Sequence, residues 1–570
     1  MKKNISVILI VSMLILSLAG CGAVSSGAQI TETESVQTAQ SETLSVRTQT
    51  EEEYGEETAI DLDTIDGELT ISEEGTYVLS GSLNGRIVID APEDAKVKLV
   101  LDGAAISAEN TAAIYAIEAD KLVIETAAGS KNTVNSSGTF VQTDDNNVDA
   151  AIFAKCDLTL KGEGLLTVNC DSCHGVVSKD DLKVKGGTLV ISAAGQGLSG
   201  KDSVTVEDGE ISIVSGTDGI QSSNAEDTEK GIVTVVGGSI DIAAGSDGVD
   251  AANALSIEGG SLNVEAGNGK GLKAENSLAI VDGSVSVSSY DDALHSNGSV
   301  TVSGGNVTLA SADDGIHADL SVAISGGTVA ISESYEGIEA QTISIEGGET
   351  YVAAKDDGLN ASSGSGSGNA FGGFGGGAFD SDSSCTLTIS GGTLIVNAGG
   401  DGLDSNGALV VTGGEAYISG PTNSGNGALD YGMSASISGG IVIAAGSVGM
   451  AENFGSASTQ GSMLLNLSSA VSAGTTITVS DASGNVLASY APEKSFQSVV
   501  ISAPGIEAGE TYTVTIGSYS TEITMSSTIY GSGSGMGMGM GGQNGGPGMG
   551  GGFGGQGGFG GMGGFGGGRP

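Results

Sequence analysis

A glycine-containing turn recurs at a nearly constant interval along this chain, and it restricts the fold more strongly than any other sequence feature. Most intervals are 21 to 23 residues, and two of the longer ones contain the insertions 222–230 and 362–384. The turns end at the following glycines: Gly187, Gly209, Gly238, Gly260, Gly283, Gly305, Gly327, Gly348, Gly392, Gly414 and Gly440. A unit of this length cannot bury its own apolar face, so consecutive units must stack and share one interior. The period therefore predicts a solenoid.

Aliphatic residues alternate with polar residues after each turn. The segments 261–264 (SLNV), 306–309 (NVTL) and 393–396 (TLIV) place aliphatic residues at their second and fourth positions, as in a strand with one buried face. A shorter strand is expected around Leu294 and its equivalents, and a third strand precedes the next turn. We predict an all-β protein, a right-handed parallel β-helix with about 22 residues per coil, over residues 60–460.

The N-terminus has the pattern of a targeting signal. Its parts are the basic residues Lys2 and Lys3, the apolar run 5–16 and the LAGC sequence at 18–21. LAGC resembles the bacterial lipobox, in which the cysteine, here Cys21, becomes lipidated; an ordinary signal peptide with a chance cysteine is the alternative. We expect a signal peptide at 1–20 and a flexible Ser-, Thr- and Glu-rich tether at 21–59. The protein is then lipid-anchored at the extracellular face of the bacterial cell membrane.

Two further segments follow the predicted β-helix. Residues 461–527 alternate like an antiparallel β unit, and we expect them to cap the open end of the solenoid, whose exposed edge would otherwise pair with other chains. Residues 528–570 are rich in Gly, Met and Phe and are predicted to be a disordered tail. The insertion 362–384 is similarly rich in Gly and is expected to bulge from one coil.

The charge of the chain excludes nucleic acid as a partner. The chain has 20 Lys and Arg residues against 69 Asp and Glu residues, which gives a formal net charge of −49. A phosphate backbone is held by basic side chains that displace its counterions. Metal cations are the natural small partners of such an acidic protein.

The repeat stacks acidic residues above one another on one exterior edge of the predicted fold, since residues one period apart lie on adjacent coils about 4.8 Å apart. One acidic column comprises Asp218, Asp247, Asp292, Asp314, Glu336, Asp357 and Asp401. A neighbouring acidic column comprises Asp291, Asp313 and Asp356. An outward column on the short strand comprises Gln221, Asp250, Lys273, His295, His317, Glu339, Asn360 and Asp404.

Stacked carboxylates favour a bound cation. Two charges about 5 Å apart repel by about 3 kcal/mol at an effective dielectric constant of 20. Calcium takes oxygen ligands at about 2.3–2.6 Å, so one ion can reach carboxylates on two adjacent coils. We therefore expect Ca²⁺ at the doubled acids 291–292, 313–314 and 356–357, with Asp401 in the same column. The alternative is that each Asp-Gly pair only forms a turn.

The side chains beside these acids are candidate ligand contacts. His295 and His317 occupy equivalent places in two coils, and the hard oxygen neighbours favour polar contact with a ligand or carboxylate over binding of a transition metal. Lys273 and Glu339 lie in the same outward column. The chain lacks Trp, so tyrosines, with Tyr335 among them, are the leading candidates for an aromatic surface that packs against a sugar ring. Tyr290 and Tyr351 are the other candidates of this kind.

The sequence Cys170-Asp171-Ser172-Cys173-His174 matches the c-type haem attachment motif. It falls where other coils have Asp-Gly-aliphatic, within the predicted β-helix, so no haem is expected. Outside the cell, a disulfide can form among the cysteines of the mature chain. These are Cys156, Cys170, Cys173 and Cys385, whose pairing is left open by the sequence.

Several phrases resemble one family of bacterial extracellular proteins, the carbohydrate-binding domain-containing proteins of clostridial type, which have a pectate-lyase-like right-handed β-helix. They are 75–106 (GTYVLSGSLNGRIVIDAPEDAKVKLVLDGAAI), 177–192 (VSKDDLKVKGGTLVIS), 311–319 (SADDGIHAD), 334–340 (SYEGIEA) and 355–361 (KDDGLNA). The likeness covers about 60–460. It implies binding of an acidic polysaccharide such as polygalacturonate, or of a cellulose-like glucan, without established cleavage.

The resemblance also implies calcium sites. The matching acids are Asp313, Asp314, Glu336, Asp356 and Asp357, with Asp291 and Asp292 by repeat. The chain departs from the family at 172–175, where Ser-Cys-His-Gly replaces the usual Asn-Asp-Gly, so a metal site in that coil is in doubt.

Three functions remain open from the sequence. The first is calcium-dependent binding of an acidic polysaccharide by a surface-tethered protein, in which the ion bridges two negative partners. The second is a polysaccharide lyase, whose base would be Lys273 or Lys355, because β-elimination requires a base beside a calcium-neutralised carboxylate. The third is a non-catalytic adhesive or structural envelope protein.

Overall fold

The structure is a computed structural model that describes residues 54, 56–363 and 381–531. Within these residues the chain is all-β, apart from a short 3-10 helix at Leu62–Thr64. About 16 coils of about 23 residues stack into a parallel β-helix, so the predicted fold class is confirmed. The described residues contain no helix with the length and hydropathy of a membrane span.

Each regular coil contributes one strand to each of three parallel sheets. The long-strand sheet contains Lys131–Ser137, Leu165–Cys170, Thr188–Ala193, Glu210–Ser215, Ser239–Ala244, Ser261–Ala266, Ser284–Ser289, Asn306–Ser311, Thr328–Glu333, Glu349–Ala354, Thr393–Ala398, Glu415–Ser419 and Ile441–Gly446. The short-strand sheet contains Ile114–Glu118, Ala150–Ala154, His174–Ser178, Leu198–Gly200, Ile220–Ser222, Val249–Ala251, Leu272–Ala274, Leu294–Ser296, Leu359–Ala361, Leu403–Ser405 and Leu429–Tyr431.

The third sheet completes the coil. It contains Lys121–Thr126, Asp157–Gly162, Asp181–Val184, Ser203–Val206, Ile232–Val235, Ala254–Ile257, Ser277–Ile280, Ser299–Val302, Thr386–Ile389, Ala408–Val411 and Ser434–Ile437. Two strands, Ile316–Ile324 and Ile338–Ile345, continue through the corner and belong to both the short-strand and the third sheet.

The first coils contain the parallel-paired strands Glu57–Asp61, Gly67–Ile71, Gly75–Asp90 and Lys96–Glu109, of which the last two are 16 and 14 residues long. The first of them begins inside the predicted tether 21–59, so that boundary is wrong by three residues. The reason is the parallel pairing of Glu57–Asp61 with 76–80 and the packing of Ile60 against the core.

Alternating side chains fill the interior. In Ser261–Ala266 the inward Leu262 and Val264 are each 1% exposed, and they lie in register with Val285 and Val287 of the next coil. One continuous apolar core therefore runs through the coils, as the period-2 pattern predicts.

The recurring turn glycine has a backbone conformation that other residues rarely adopt. Gly260 has a φ of 80°, and a Cβ atom placed on it would lie 2.6 Å from the carbonyl oxygen of Gly238, its equivalent in the preceding coil. Both the left-handed conformation and the close approach of the two coils require glycine at this position.

The C-terminal strands cover the end of the solenoid. Phe496–Ser502 pairs antiparallel with the last long strand, Ile441–Gly446, and also with Ser462–Val471. A separate antiparallel sheet contains Val486–Tyr490, Ile477–Ser480, Thr511–Ile516 and Tyr519–Thr524, in that order. A final short strand, Ile529–Tyr530, lies inside the predicted disordered tail 528–570. That boundary is wrong because this strand pairs with 462–463, and Ile529 packs against the core.

Several predicted segments lie outside the described residues. These are the signal peptide 1–20, Cys21, most of the tether, residues 364–380 of the insertion and residues 532–570 of the tail. The predictions made for them stay predictions.

Replacing Gly260 with Ala should destabilise the protein by about 1–3 kcal/mol, because the added methyl group meets the Gly238 carbonyl and the positive φ becomes strained. Gly425→Ala is the matched control, since the nearest atom to its added Cβ is 3.5 Å away. Chemical denaturation followed by circular dichroism measures both. Equal stability of the two variants would contradict this account of the repeat.

Candidate functional site

The first acidic column forms at the turn that leads into the short-strand sheet. Each coil donates a backbone N–H here to a carbonyl oxygen of the next: Gly219 donates to Asp247 at 3.0 Å, and Gly315 donates to Glu336 at 3.0 Å. This turn column comprises His174, Gln196, Asp218, Asp247, Lys270, Asp292, Asp314, Glu336, Asp357 and Asp401. The predicted stacking of the acids is thus what the backbone pairing produces.

One carboxylate oxygen of several turn-column acids has a structural role. Oδ1 of Asp292 accepts the backbone N–H of Asp314 at 3.2 Å, and Oδ1 of Asp357 accepts that of Asp401 at 2.6 Å. Asp247 accepts the N–H of Lys270 in the same way, at 2.8 Å. These oxygens therefore bond the backbone of the next coil, while Oδ2 can contact other groups.

Sequence reasoning missed Lys270, which occupies an acid's place in the turn column. Its ammonium group lies 2.6 Å from Oδ2 of Asp292 and 3.1 Å from Oδ1 of Asp291. The signal was present, because Gly269-Lys270-Gly271 stands where other coils have Asp-Asp-Gly.

The outward column of the short-strand sheet lies beside the turn column. Its register is Gln221, Asp250, Lys273, His295, His317, Glu339, Asn360, Asp404 and Asp430. The rings of His295 and His317 stack with centroids 5.1 Å apart and an interplanar angle of 11°. The predicted column is therefore formed, and Asp430, which the sequence analysis did not include, extends it.

Both carboxylate oxygens of Asp292 have hydrogen-bonding or ion-pair partners. Its Oδ2 lies 2.8 Å from Nδ1 of His295 in addition to its contact with Lys270. Burial alone would raise the pKa of Asp292, but the hydrogen bonds from His295 and Lys270 lower it to about 2. The carboxylate is therefore ionised at neutral pH and neutralised by the protein itself.

His317 lies among three carboxylates. Its Nδ1 lies 3.1 Å from Asp314 and 3.2 Å from Glu339, and its Nε2 lies 3.3 Å from Asp319. The hydrogen bonds to Asp314 and Glu339 raise the pKa of His317 to about 11. The ring is thus an imidazolium at neutral pH and lies as an internal cation between two coils.

In the described residues, several acids in the C-terminal part of the same face lack a cationic partner. Within the described residues, no ion pair joins Glu336, Asp357, Asp401, Asp404, Asp430 or Glu452 to a basic side chain. Buried Oδ1 of Asn360 and Oε2 of Glu452 also have no hydrogen-bond partner there. We call Glu336, Asp357, Asp401, Asp404 and Asp430 the uncompensated acids.

Burial, reinforced by neighbouring carboxylates, raises the pKa of four of these groups into the neutral range. The pKa is raised to about 6 for Asp357, to about 7 for Asp401, and to about 8 for Asp404 and Glu336. Without a cation, these four groups in the folded protein therefore keep protons near neutral pH that isolated, solvent-exposed carboxyl groups would have released.

Two acids predicted on an exterior edge are in fact buried. Asp292 is 4% exposed and Asp314 is 7% exposed. The reason is that Oδ1 of Asp292 accepts a hydrogen bond from the backbone of the next coil, while its Oδ2 contacts Lys270 and His295. Buried carboxylates of this kind are stable only when they are paired.

The second acidic column lies farther out. Tyr335 takes the place between Asp313 and Asp356: its N–H donates to the Asp313 carbonyl at 2.7 Å, and its carbonyl accepts from Asp356 at 2.8 Å. Tyr335 is 47% exposed and Tyr290 is 65% exposed. Tyr351 belongs to the long-strand sheet, so the structure does not bring it to this face.

Both candidate bases for a lyase are paired. Lys273 lies 3.1 Å from Asp250 and 3.4 Å from Asp247; burial opposes its charge, but these carboxylates raise its pKa above the usual value. Lys355 lies 2.9 Å from Glu333, and both side chains are largely exposed. A protonated ammonium group is no proton acceptor, so this geometry favours counter-charge roles for both lysines.

Four groups of acidic or imidazole side chains have ligand atoms within 4.8 Å of one another in the described residues. They are Asp291, Asp292 and Asp313; Asp314, His317 and Glu339; Asp157, Asp180 and Asp181; and Asp357, Asp401 and Asp404. The first is neutralised by Lys270 and the second by His317. The third lies at another corner, beside the third sheet. Only the fourth combines the predicted face with a lack of built-in cations.

The cysteine motif forms a disulfide between Cys170 and Cys173, and both Cys156 and Cys385 are free and buried. Burial raises the pKa of the Cys156 thiol to about 12. The disulfide closes the turn immediately before His174, the first member of the turn column.

Replacing Lys270 with Met should destabilise the protein by about 3 kcal/mol at pH 7, because Asp292 becomes a buried charge without its ammonium partner. The loss should shrink near pH 4, since the carboxyl group can then take up a proton. Lys355→Met is the control. Loss of the exposed ion pair of Lys355 should lower the free energy of unfolding by less than about 1 kcal/mol. Denaturation curves at the two pH values decide between these outcomes; a loss independent of pH would count against the pairing.

In chelator, the unfolding temperature should fall as the pH rises from about 5 to about 8. The uncompensated acids have raised pKa values in the folded state, so the folded protein binds more protons than the unfolded chain above pH 4, where unfolded Asp and Glu ionise. Asp292 and His317 keep their charges across this window. Differential scanning calorimetry checks the slope, which the double variant Asp401→Asn/Asp404→Asn should reduce. A stability that rises with pH would be the opposite result.

The comparisons with known proteins agree with the fold and with the earlier resemblance. Residues 65–315 match the family described as "Carbohydrate-binding domain-containing protein". A curated protein of the same description from Acetivibrio thermocellus is 35% identical over 143 residues, which are 24% of this chain and 50% of the relative. The chain thus matches half the length of that relative.

One solved structure is also similar. It is described as the polysaccharide lyase-like protein from C. thermocellum, as a gadolinium derivative. It is 36% identical, and the match covers 39% of this chain and 96% of that chain, with a TM-score of 0.38. Residues 65–315 are thus similar to the carbohydrate-binding domain-containing protein family, in agreement with the phrases quoted from the sequence.

Proposed function

We propose that this protein binds an acidic polysaccharide with the help of calcium, along the outer face of the short-strand sheet. The observation that carries the proposal is the contrast between two parts of one face. Lysine or imidazolium groups contact several acids between Asp247 and Glu339, whereas the uncompensated acids have no basic partner among the described residues. Similarity to a carbohydrate-binding family supports a polysaccharide as the ligand.

The residues present fit calcium at the C-terminal part of the face. Asp357, Asp401 and Asp404 offer hard carboxylate oxygens within reach of one another, and the buried Oδ1 of Asn360 lacks a partner. Oxygen-only donors suit Ca²⁺ and disfavour softer transition metals. Three of the other predicted ligands, Asp291, Asp292 and Asp314, already contact Lys270, His295 or His317, so we place the ion beyond them.

A bound calcium ion would supply the positive charge that lets an acidic chain approach an acidic protein. The protein's own residues prepare the site. Oδ1 of Asp357 and of Asp401 is held by backbone N–H groups of the next coil, which fixes both carboxylates and leaves Oδ2 free. Asp404, on the adjacent strand, has no structural hydrogen bond through its side chain in the described part of the chain.

Other groups on the face would contact the sugar rings. Tyr335 and Tyr290 are the exposed aromatic side chains next to the turn column, and aromatic faces pack against the apolar face of sugar rings. Lys273, His317 and Glu339 line the same face at half-buried positions and can donate or accept hydrogen bonds at its surface.

The polysaccharide lyase stays a second prediction, with Lys273 or Lys355 as its base. The ion pairs described above weigh against it. The predicted lipid anchor at Cys21 would hold the binding face outside the cell, where free calcium is plentiful, and we retain it as part of the proposal.

The test is binding of polygalacturonate in millimolar calcium and again in chelator, measured by isothermal titration calorimetry. Binding should appear only with calcium. The double variant Asp401→Asn/Asp404→Asn keeps the hydrogen-bond acceptors but removes two charges, and it should lose the calcium-dependent binding. The absorbance of an unsaturated uronide product, followed in the same samples, reports lyase activity.

The matched control is Asp157→Asn/Asp181→Asn, which removes two charges from the acidic group at the other corner. It should bind polygalacturonate like the unmodified protein. Equal binding with calcium and with chelator, or undiminished binding by the Asp401/Asp404 variant, would refute the proposal.

A further inference from the structure

A cleft of about 310 Å³ lies at the N-terminal end of the turn column, remote from the uncompensated acids. Its size is at the lower end of the range of about 300–1,000 Å³ for small-molecule sites. It is lined by Phe140, Gln142, Val148, Asp149, Ser172, Cys173, His174, Ala194 and Gly195. None of these described lining residues is a Lys or Arg. Nothing in the calcium-dependent binding proposed above uses this cleft.

The cleft lies where the open face of the short-strand sheet ends. In the first coils the outward column consists of Tyr115, Phe153 and Val177, each at most 3% exposed. The segment 138–149, between two strands, covers them: Phe140 packs against this apolar cluster. A chain lying along the face cannot continue past this segment, so only its terminal unit can enter the cleft.

The covering segment is firmly attached. The hydroxyl of Tyr115 donates to Asp144 at 2.7 Å, and the side chain of Asn146 donates to the same hydroxyl oxygen at 2.6 Å. Gln142 closes the segment on itself by exchanging two 2.8 Å hydrogen bonds with the backbone of Val148. The wall of the cleft is therefore ordered by its own contacts.

The chemistry of the cleft is set by His174 and Asp149. The backbone N–H of Gln196 donates to Nδ1 of His174 at 2.8 Å, so a neutral ring carries its proton on Nε2. Burial lowers the pKa of His174, which keeps the ring neutral. Nε2 lies 3.9 Å from Oδ2 of Asp149, too far for a direct hydrogen bond. Oδ1 of Asp149 is buried and has no partner in the described part of the chain.

Gly195 makes room for the imidazole. A Cβ atom on Gly195 would lie 2.6 Å from Nδ1 of His174, so any larger residue there would displace the ring. The disulfide between Cys170 and Cys173 closes the adjoining turn. These contacts fix the imidazole of His174 as a neutral donor in the cleft that Asp149 also lines.

The geometry points to a subsite for the terminal, uncharged sugar residue of a glycan chain, with Asp149 and His174 as its polar contacts and Phe140 as its apolar wall. Neighbouring hydroxyl groups of a sugar can donate to the carboxylate and accept from Nε2–H, filling the gap between them. A uronate would bring a second negative charge beside Asp149 and is therefore disfavoured. The inference rests on the proposed function only in that the ligand is a carbohydrate.

The test is calorimetric titration, in chelator, of neutral tetrasaccharides of glucose, xylose, mannose and galactose. Chelator silences the calcium-dependent binding, so failure of this subsite and failure of the proposed function give separate results. At least one tetrasaccharide should bind with a single site. Asp149→Asn should weaken that binding roughly ten- to a hundredfold, the loss expected for a hydrogen bond to a charged group.

Gly195→Ala provides a second variant, which should weaken binding by moving His174 without touching any acid. Asp401→Asn/Asp404→Asn is the control and should bind the tetrasaccharide normally. A polymer of the same sugar at equal mass concentration, which carries fewer chain ends, should saturate fewer sites. The inference is overturned if no tetrasaccharide binds, if Asp149→Asn binds as tightly as the unmodified folded protein, or if polymer and tetrasaccharide saturate equally by mass.

Discussion

Backbone hydrogen bonds between successive coils set the spacing and register of the residues on the binding face. Because Gly219 donates to Asp247, and Gly315 to Glu336, equivalent residues of adjacent coils cannot move apart to relieve repulsion. A coil spacing of about 4.8 Å is close enough for unlike groups to pair and for like charges to repel strongly. The backbone thus holds carboxylates of successive coils close together wherever the repeat places an acid. Their repulsion must be offset by a cation or a proton at each coil.

The binding face offsets this repulsion in two different ways along its length. In the first part, a lysine or an imidazolium contacts and neutralises the carboxylates of Asp247, Asp292 and Glu339, while Glu336 belongs with the uncompensated acids of the second part. Beyond Glu339 the described residues offer no such cation, and burial with mutual repulsion raises the pKa values of Asp401 and Asp404 to about 7 and about 8. The first stretch is electrostatically complete as folded, whereas the second is stabilised by protons or by a cation from solution.

The sequence predicted the fold and the columns because both depend on period. Alternation set which residues point inward, and the 22-residue spacing placed His295 above His317. What it did not predict depends on side-chain direction. Lys270 was not predicted to be a member of the acidic column, although its ammonium group neutralises the carboxylate of Asp292. The burial of Asp292 and Asp314 also escaped prediction, since a repeat shows position but not which oxygen bonds the next coil.

Anomalous diffraction from crystals grown with calcium tests the central claim most directly. Our account predicts an ion bound by Asp357, Asp401 and Asp404, with the places beside Lys270 and His317 still held by those side chains. A difference peak between Asp291 and Asp313, with Lys270 displaced and the C-terminal acids empty, would contradict it. That result would mean that calcium binds where Lys270 and His317 lie, and that these side chains do not take the place of a metal ion.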